Sequence, residues 1–129
     1  MALSILIIEG HPAIGRGLCS LVGAMPEVEL RGVSVDGEEG LARAVQAPPD
    51  VVLVDTELPE AGRALIRRFR AQLPATRVVA LGIYPRRGPM ALAAGAHCFL
   101  YKDAGYDALR AAITGVDAAP TPIPTEVSR

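Results

Sequence analysis

The chain has no tryptophan, only two cysteines and almost no excess charge of either sign, and each shortage narrows what it can do. Without an indole the chain has no tryptophan emission to follow. Cys19 and Cys98 show neither Cys-x-x-Cys spacing nor an ordered set of histidine partners, so they read as small, reduced core residues rather than redox or metal ligands. A formal net charge of −1 offers no broad attraction to a nucleic-acid backbone, and Arg67, Arg68 and Arg70 read as one solvated helix face. No direct grip on DNA is expected of this domain. Nothing basic precedes Arg16 to open a signal peptide, and the apolar runs have the length of strands, far short of a membrane span. The expected setting is the cytosol, without membrane contact. No internal repeat is visible.

There is enough apolar material for one interior: of 129 residues, 50% are hydrophobic and 21% charged. One domain over residues 1–116 is expected. Residues 117–129, small side chains with Pro120, Pro122 and Pro124, read as an extended linker or tail. Leu3 to Ile8 (LSILII) is a nearly continuous apolar run ending at Glu9, the mark of a strand buried on both faces of a parallel sheet. Pro12 suits a first helical turn, and Ile14, Leu18, Leu21, Val22 and Met25 share one face of the helix that follows. Val28 to Val35 predicts a second strand. Asp36 and Glu39 then have capping-box spacing before Leu41, Ala44 and Val45, and this helix stops before Pro48 and Pro49.

Asp50 to Asp55 (DVVLVD) repeats the apolar strand closed by an acid. A loop with Pro59 and Gly62 leads from it to Leu65, Ile66, Phe69 and Leu73 at helical spacing. Arg77 to Leu81 and Cys98 to Tyr101 supply strands four and five, and Tyr106 to Val116 a last helix with Leu109, Ala112, Ile113 and Val116 inward. Pro85, Gly88, Pro89 and Gly95 leave room for barely two turns of a fourth helix. Five strands alternating with helices predict a three-layer α/β fold around a parallel sheet. In the flavodoxin-like strand order 2-1-3-4-5, ligands bind beyond the carboxyl ends of strands one and three. Glu9 and Asp55 end those two strands.

The stretch IIEGHPAIGRG, residues 7–17, admits two readings. As a phosphate-cradling loop it has Gly10 and Gly15 at the right separation, but Pro12 lacks an amide, Arg16 replaces the lysine and Gly17 stands where a hydroxyl should be. A dinucleotide fingerprint fails too, because Ser20 replaces the third glycine. Gly15 and Gly17 lie inside helix one, where tight packing would account for them. In the other reading Glu9 survives from an acidic metal-binding pair whose second member has become Gly10. That reading gains from Asp55 and Lys102, which end strands three and five and would converge on Glu9 at one edge of the sheet. A metal-assisted phosphoryl-transfer site needs this set: a carboxylate to attack phosphorus, magnesium to neutralise oxygens and an ammonium to pair with the product. His11 with Glu9 and Asp55 has the chemistry for zinc or nickel, although a histidine before proline at a helix start more often faces solvent. His97, before strand five, reads as exposed.

ILIIEGHPAIGRGL, DVVLVDTELPEAG and AGAHCFLYKDA, spaced over Leu3 to Val116, together resemble the receiver domains of bacterial two-component response regulators. The resemblance is nearest to the LuxR/NarL-type subgroup with a helix-turn-helix output. It implies that Asp55 accepts phosphoryl from a histidine kinase or a small phosphodonor and that Lys102 contacts the phosphoryl group. It further implies that Mg2+ is held by Glu9, Asp55 and the backbone carbonyl of Glu57, whose side chain is then unimportant. Phe99 matches the family's switch aromatic, and an ordinary buried strand residue is the alternative. The protein would act as a signalling homodimer rather than an enzyme, reaching DNA only through an output domain outside this chain.

Two substitutions thin the implied site. Gly10 occupies the position of the direct magnesium carboxylate, so metal affinity should fall. Gly82 stands where the family has a serine or threonine at the end of strand four, which removes the hydroxyl that contacts phosphoryl and draws the next loop inward. Relative to the family's usual pattern one residue is missing between Pro59 and Gly62 and about two around helix four, and helix four is part of the surface that reports phosphorylation. These departures describe an atypical receiver and keep open an alternative: a phosphorylation-independent module for dimerisation or for binding a protein or ligand.

Overall fold

A computed structural model describes residues 2–58 and 62–115. In chain order the elements are β1 (Leu3–Ile8), α1 (Pro12–Gly23), β2 (Val28–Ser34), α2 (Gly37–Gln46), β3 (Val51–Asp55), α3 (Gly62–Gln72), β4 (Arg77–Gly82), α4 (Arg87–Ala94), β5 (Cys98–Tyr101) and α5 (Tyr106–Thr114). The five strands are all parallel, in the order β2-β1-β3-β4-β5. This is the doubly wound architecture expected from the alternation of apolar runs and amphipathic helices.

Sequence alternation within the strands divides the core in two. Ile5, Ile7, Val51, Leu53, Val79 and Leu81 face α1 and α5, while Leu6, Ile8, Val52, Val54, Val78 and Ala80 face the α2–α4 side. Each side chain is removed from water on its own face, which is why β1 and β3 read as unbroken apolar runs. The register then sets the height of the strand ends. Ile8 pairs with Val54, and Gly82 with Tyr101, so Glu9, Asp55 and Lys102 leave the sheet on the same edge.

Several boundaries differ from the sequence reading. β3 begins at Val51, not Asp50, because the Asp50 carboxylate is occupied by β1: the Ser4 amide and hydroxyl donate to its Oδ2 at 2.8 and 3.1 Å. β2 stops at Ser34, leaving Val35 56% exposed. Met25 is buried, but in the turn after α1. Asp36 does cap α2, accepting from the Glu38 amide at 2.8 Å. A Cβ on Gly15 would lie 3.6 Å from Val33 Cγ1, an ordinary contact, and nothing would lie within 4 Å of one on Gly17, so tight packing accounts for neither glycine.

α4 has only eight residues, as the proline and glycine content implies, and Gly95 ends it in the left-handed region at φ 116°. On α3, Arg67 and Arg68 are exposed, and Arg68 pairs with Glu38 of α2. Cys98 is buried, its sulfur accepting from Arg77 Nη2 at 3.8 Å, and Cys19 is half-buried. No described helix is long and apolar enough to cross a membrane. The shortened segment between Pro59 and Gly62, the inward Val116, the domain boundary at 116 and the 117–129 tail lie outside the described residues.

Candidate functional site

Glu9, Asp55 and Lys102 meet at the carboxyl edge of the sheet. Glu9 is 0% exposed and Asp55 3%. The Lys102 ammonium lies 2.7 Å from Asp55 Oδ1 and 3.0 Å from Glu9 Oε2, bridging two buried carboxylates. Backbone amides supply the remaining donors: Gly10 to Asp55 Oδ2 at 3.2 Å, Glu57 to Asp55 Oδ1 at 2.7 Å, and His11 to Glu9 Oε2 at 3.1 Å. These bonds decide between the two readings of residues 7–17. The amides of Gly10 and His11 are committed to carboxylates, and Pro12 has none, so this turn presents no anion cradle.

The two acids are pushed in opposite directions. Burial raises the Glu9 carboxyl above its usual range; Lys102 opposes this, while the neighbouring Asp55 carboxylate reinforces it. For Asp55, burial also pulls upward, but the Lys102 ammonium and the Glu57 amide outweigh it and hold the carboxyl below its usual range. Asp55 is therefore the more acidic of the two, which favours the carboxylate form a nucleophile needs.

Glu9 Oε1 is buried with no hydrogen-bond partner. An oxygen left in that state has the hard, anionic character that a divalent cation takes, so Glu9, Asp55 and the Glu57 carbonyl fit Mg2+ as an oxygen-only but sparse ligand set. The sparseness has a structural cause besides the missing acid. A Cβ built on Gly10 would lie 3.0 Å from Leu58 Cδ2 and 3.6 Å from Asp55 Oδ2, so an apolar side chain leans over the ground the second carboxylate would use. His11 is exposed, and among the described residues no three histidine, cysteine or acidic side chains group to hold a metal by themselves.

At the end of β4, a Cβ on Gly82 would lie 2.7 Å from both Phe99 Cε1 and Thr56 Oγ1. The Phe99 ring, 1% exposed and edge-on to Tyr101 at 5.6 Å, thus points inward over the glycine. The Glu57 side chain, apart from the metal role implied for its carbonyl, makes contacts of its own: its Oε1 lies 3.4 Å from Arg87 Nη2 at the start of α4, and its Oε2 3.3 Å from the Thr56 hydroxyl. The acceptor loop is thereby tied to α4. Leu58, Thr56 and Arg87 were not singled out from the sequence; a leucine and a threonine flanking Glu57 in a polar loop were the available signals.

A doubly wound parallel domain whose carboxyl edge gathers two acids and a lysine has the architecture of a signalling input domain. The chain belongs to the response regulator receiver family, whose family model, "Response regulator receiver domain", matches residues 5–114. It is similar to the DNA-binding transcriptional activator DevR/DosR of Mycobacterium tuberculosis, 33% identical over 104 residues that make up 78% of this chain and 48% of that protein. The nitrate/nitrite response regulator protein NarL of Escherichia coli is 28% identical over 78% of this chain and 48% of its own length. The chain thus spans about half the length of these relatives. Among solved structures, the signal receiver domain of the putative response regulator NarL from Mycobacterium tuberculosis superposes with a TM-score of 0.79 at 25% identity, covering 88% of this chain and 98% of that one. A LuxR-family response regulator from Aurantimonas sp. SI85-9A1 reaches 0.85 at 21% identity, covering 99% of this chain and 94% of that one, a likeness of fold. The protein is a receiver domain of the two-component response regulator type.

Proposed function

We propose that this receiver accepts a phosphoryl group on Asp55 and relays the change to a transcription-regulatory output beyond this chain. The observation that carries the reading is the ammonium bridge, Lys102 Nζ at 2.7 Å from Asp55 and 3.0 Å from Glu9. A carboxylate oxygen of Asp55 forms the new P–O bond as the donor's bond to phosphorus breaks. That bond is P–N in a kinase phosphohistidine or P–O in an acyl phosphate, and the electron pair leaves on imidazole or carboxylate. Lys102 then pairs with the phosphoryl oxygens. Mg2+, when held by Glu9, Asp55 and the Glu57 carbonyl, supplies charge neutralisation for those oxygens. The module is a cytoplasmic signalling dimer, not an enzyme acting on an external metabolite.

The test is direct. Incubated with Mg2+ and acetyl phosphate, the chain should gain the mass of one phosphoryl group, and the Asp55→Asn chain should gain none. Equal gain by both proteins would place the acceptor elsewhere.

Leu58 leaning over Gly10, and Phe99 filling the side-chain space of Gly82, favour a second reading: a phosphorylation-independent module for dimerisation or for ligand or protein binding. In that case Asp55→Asn leaves dimerisation unchanged. A change of dimerisation on adding beryllofluoride, a phosphoryl mimic, would exclude it.

A further inference from the structure

Gly82 removes a hydroxyl from the end of β4, and the adjoining strand puts another hydroxyl into the same space. Thr56 directly follows Asp55, is 5% exposed, and has its Oγ1 2.7 Å from where a Cβ on residue 82 would sit. Its backbone is fixed independently, the Thr56 amide donating to the Leu81 carbonyl at 2.8 Å. The hydroxyl donates to that same carbonyl at 2.9 Å and stands 3.3 Å from Glu57 Oε2. A hydroxyl has one proton to give, and the Leu81 carbonyl keeps the amide bond if the hydroxyl turns away. The hydroxyl bond is therefore the replaceable one. A phosphoryl oxygen on Asp55 is an anionic acceptor and competes well against a neutral carbonyl that is already satisfied. The Phe99 ring lies 2.7 and 2.9 Å from the same Cβ position and fills the rest of its surroundings with apolar surface. The amides of Gly10 and Glu57 already serve the two oxygens of Asp55, so an incoming phosphoryl group needs a donor beyond Lys102.

We propose that Thr56 supplies to the Asp55 phosphoryl site the hydroxyl that position 82 lacks, donating it to a phosphoryl oxygen. This rests on Asp55 accepting phosphoryl. The experiment follows phosphoryl gain by intact mass, with acetyl phosphate and Mg2+, in the wild-type chain, Thr56→Val and Thr56→Ser, with thermal melting of each. Thr56→Val should load about tenfold more slowly, the loss of one donor to developing charge, while Thr56→Ser loads at the wild-type rate. A chain carrying both Thr56→Ala and Gly82→Ser moves the hydroxyl back to β4. It should recover most of the lost rate.

Wild-type loading with an unchanged Thr56→Val rate overturns the inference and leaves the receiver reading intact, as does a folded double variant that recovers nothing. No mass gain in the wild-type chain overturns both. If the serine at 82 unfolds the chain by displacing Phe99, the valine and serine variants at position 56 decide the matter.

Discussion

Lys102 is the only lysine among the chain's 13 basic residues, and its site explains why arginine does not serve there. A compact ammonium fits between two buried carboxylates at 2.7 and 3.0 Å, where a planar guanidinium would need a wider, flatter gap. The acids and the lysine were legible in the sequence because each closes an apolar run. Gly10 was legible as a missing charge. Leu58 was not, since its approach to Gly10 depends on how the loop after β3 folds back toward the loop after β1. Restoring the charge with Gly10→Asp asks only that the flexible end of Leu58 yield by a few tenths of an ångström. We expect it to tighten Mg2+ binding by about tenfold in isothermal titration, and Gly10→Asp combined with Leu58→Ala to tighten it further. An unchanged affinity in both would mean that the absent carboxylate is not what limits the metal.

At the scale of elements, most of the architecture follows from local chemistry. α4 tolerates Gly88 and Pro89 because both fall in its first turn, where a proline lacks no needed intrahelical bond, and it is short because Gly95 stops it eight residues after it starts. The Gly95 amide donates to Leu92 O at 3.0 Å and Ala96 to Ala91 O at 3.0 Å, closing the helix end. Gly95→Ala forces an L side chain to φ 116° and sets its Cβ 2.7 Å from Arg70 Cγ. It should cost about 1–2 kcal/mol in urea unfolding, whereas Gly17→Ala, in open space within α1, should stabilise by up to ~1 kcal/mol. What local chemistry did not reveal were the ends set by distant partners, such as Asp50, drawn out of β3 by Ser4 some 46 residues away.

For the whole molecule, His97 shows how an apparently idle residue enters global stability. It is exposed, as read from the sequence, but its Nδ1 accepts the Val78 amide at 2.9 Å, joining the turn before β5 to β4. Partial burial, with the nearby Arg70 and Arg77 charges, lowers its pKa from the usual 6.5. The unfolded chain therefore takes up the proton more readily than the folded one. The stabilisation is complete above pH 6.5 and is lost as pH falls through the lower folded value. Between about pH 7.5 and about pH 5 the wild type should lose more stability than His97→Asn, measured by denaturant titration at each pH. Parallel curves would show that His97 does not titrate in this window.

The sequence by itself determined the alternation of strands and helices, the parallel sheet and the residues that end its strands. Those depend on side-chain periodicity and on the few residues that break helices, both local properties. Only the tertiary structure decided what fills the space left at Gly10 and Gly82. A missing side chain leaves volume that must be taken up by whichever neighbour the strand register brings there, and here those neighbours are Leu58, Thr56 and Phe99, up to 48 positions away along the chain.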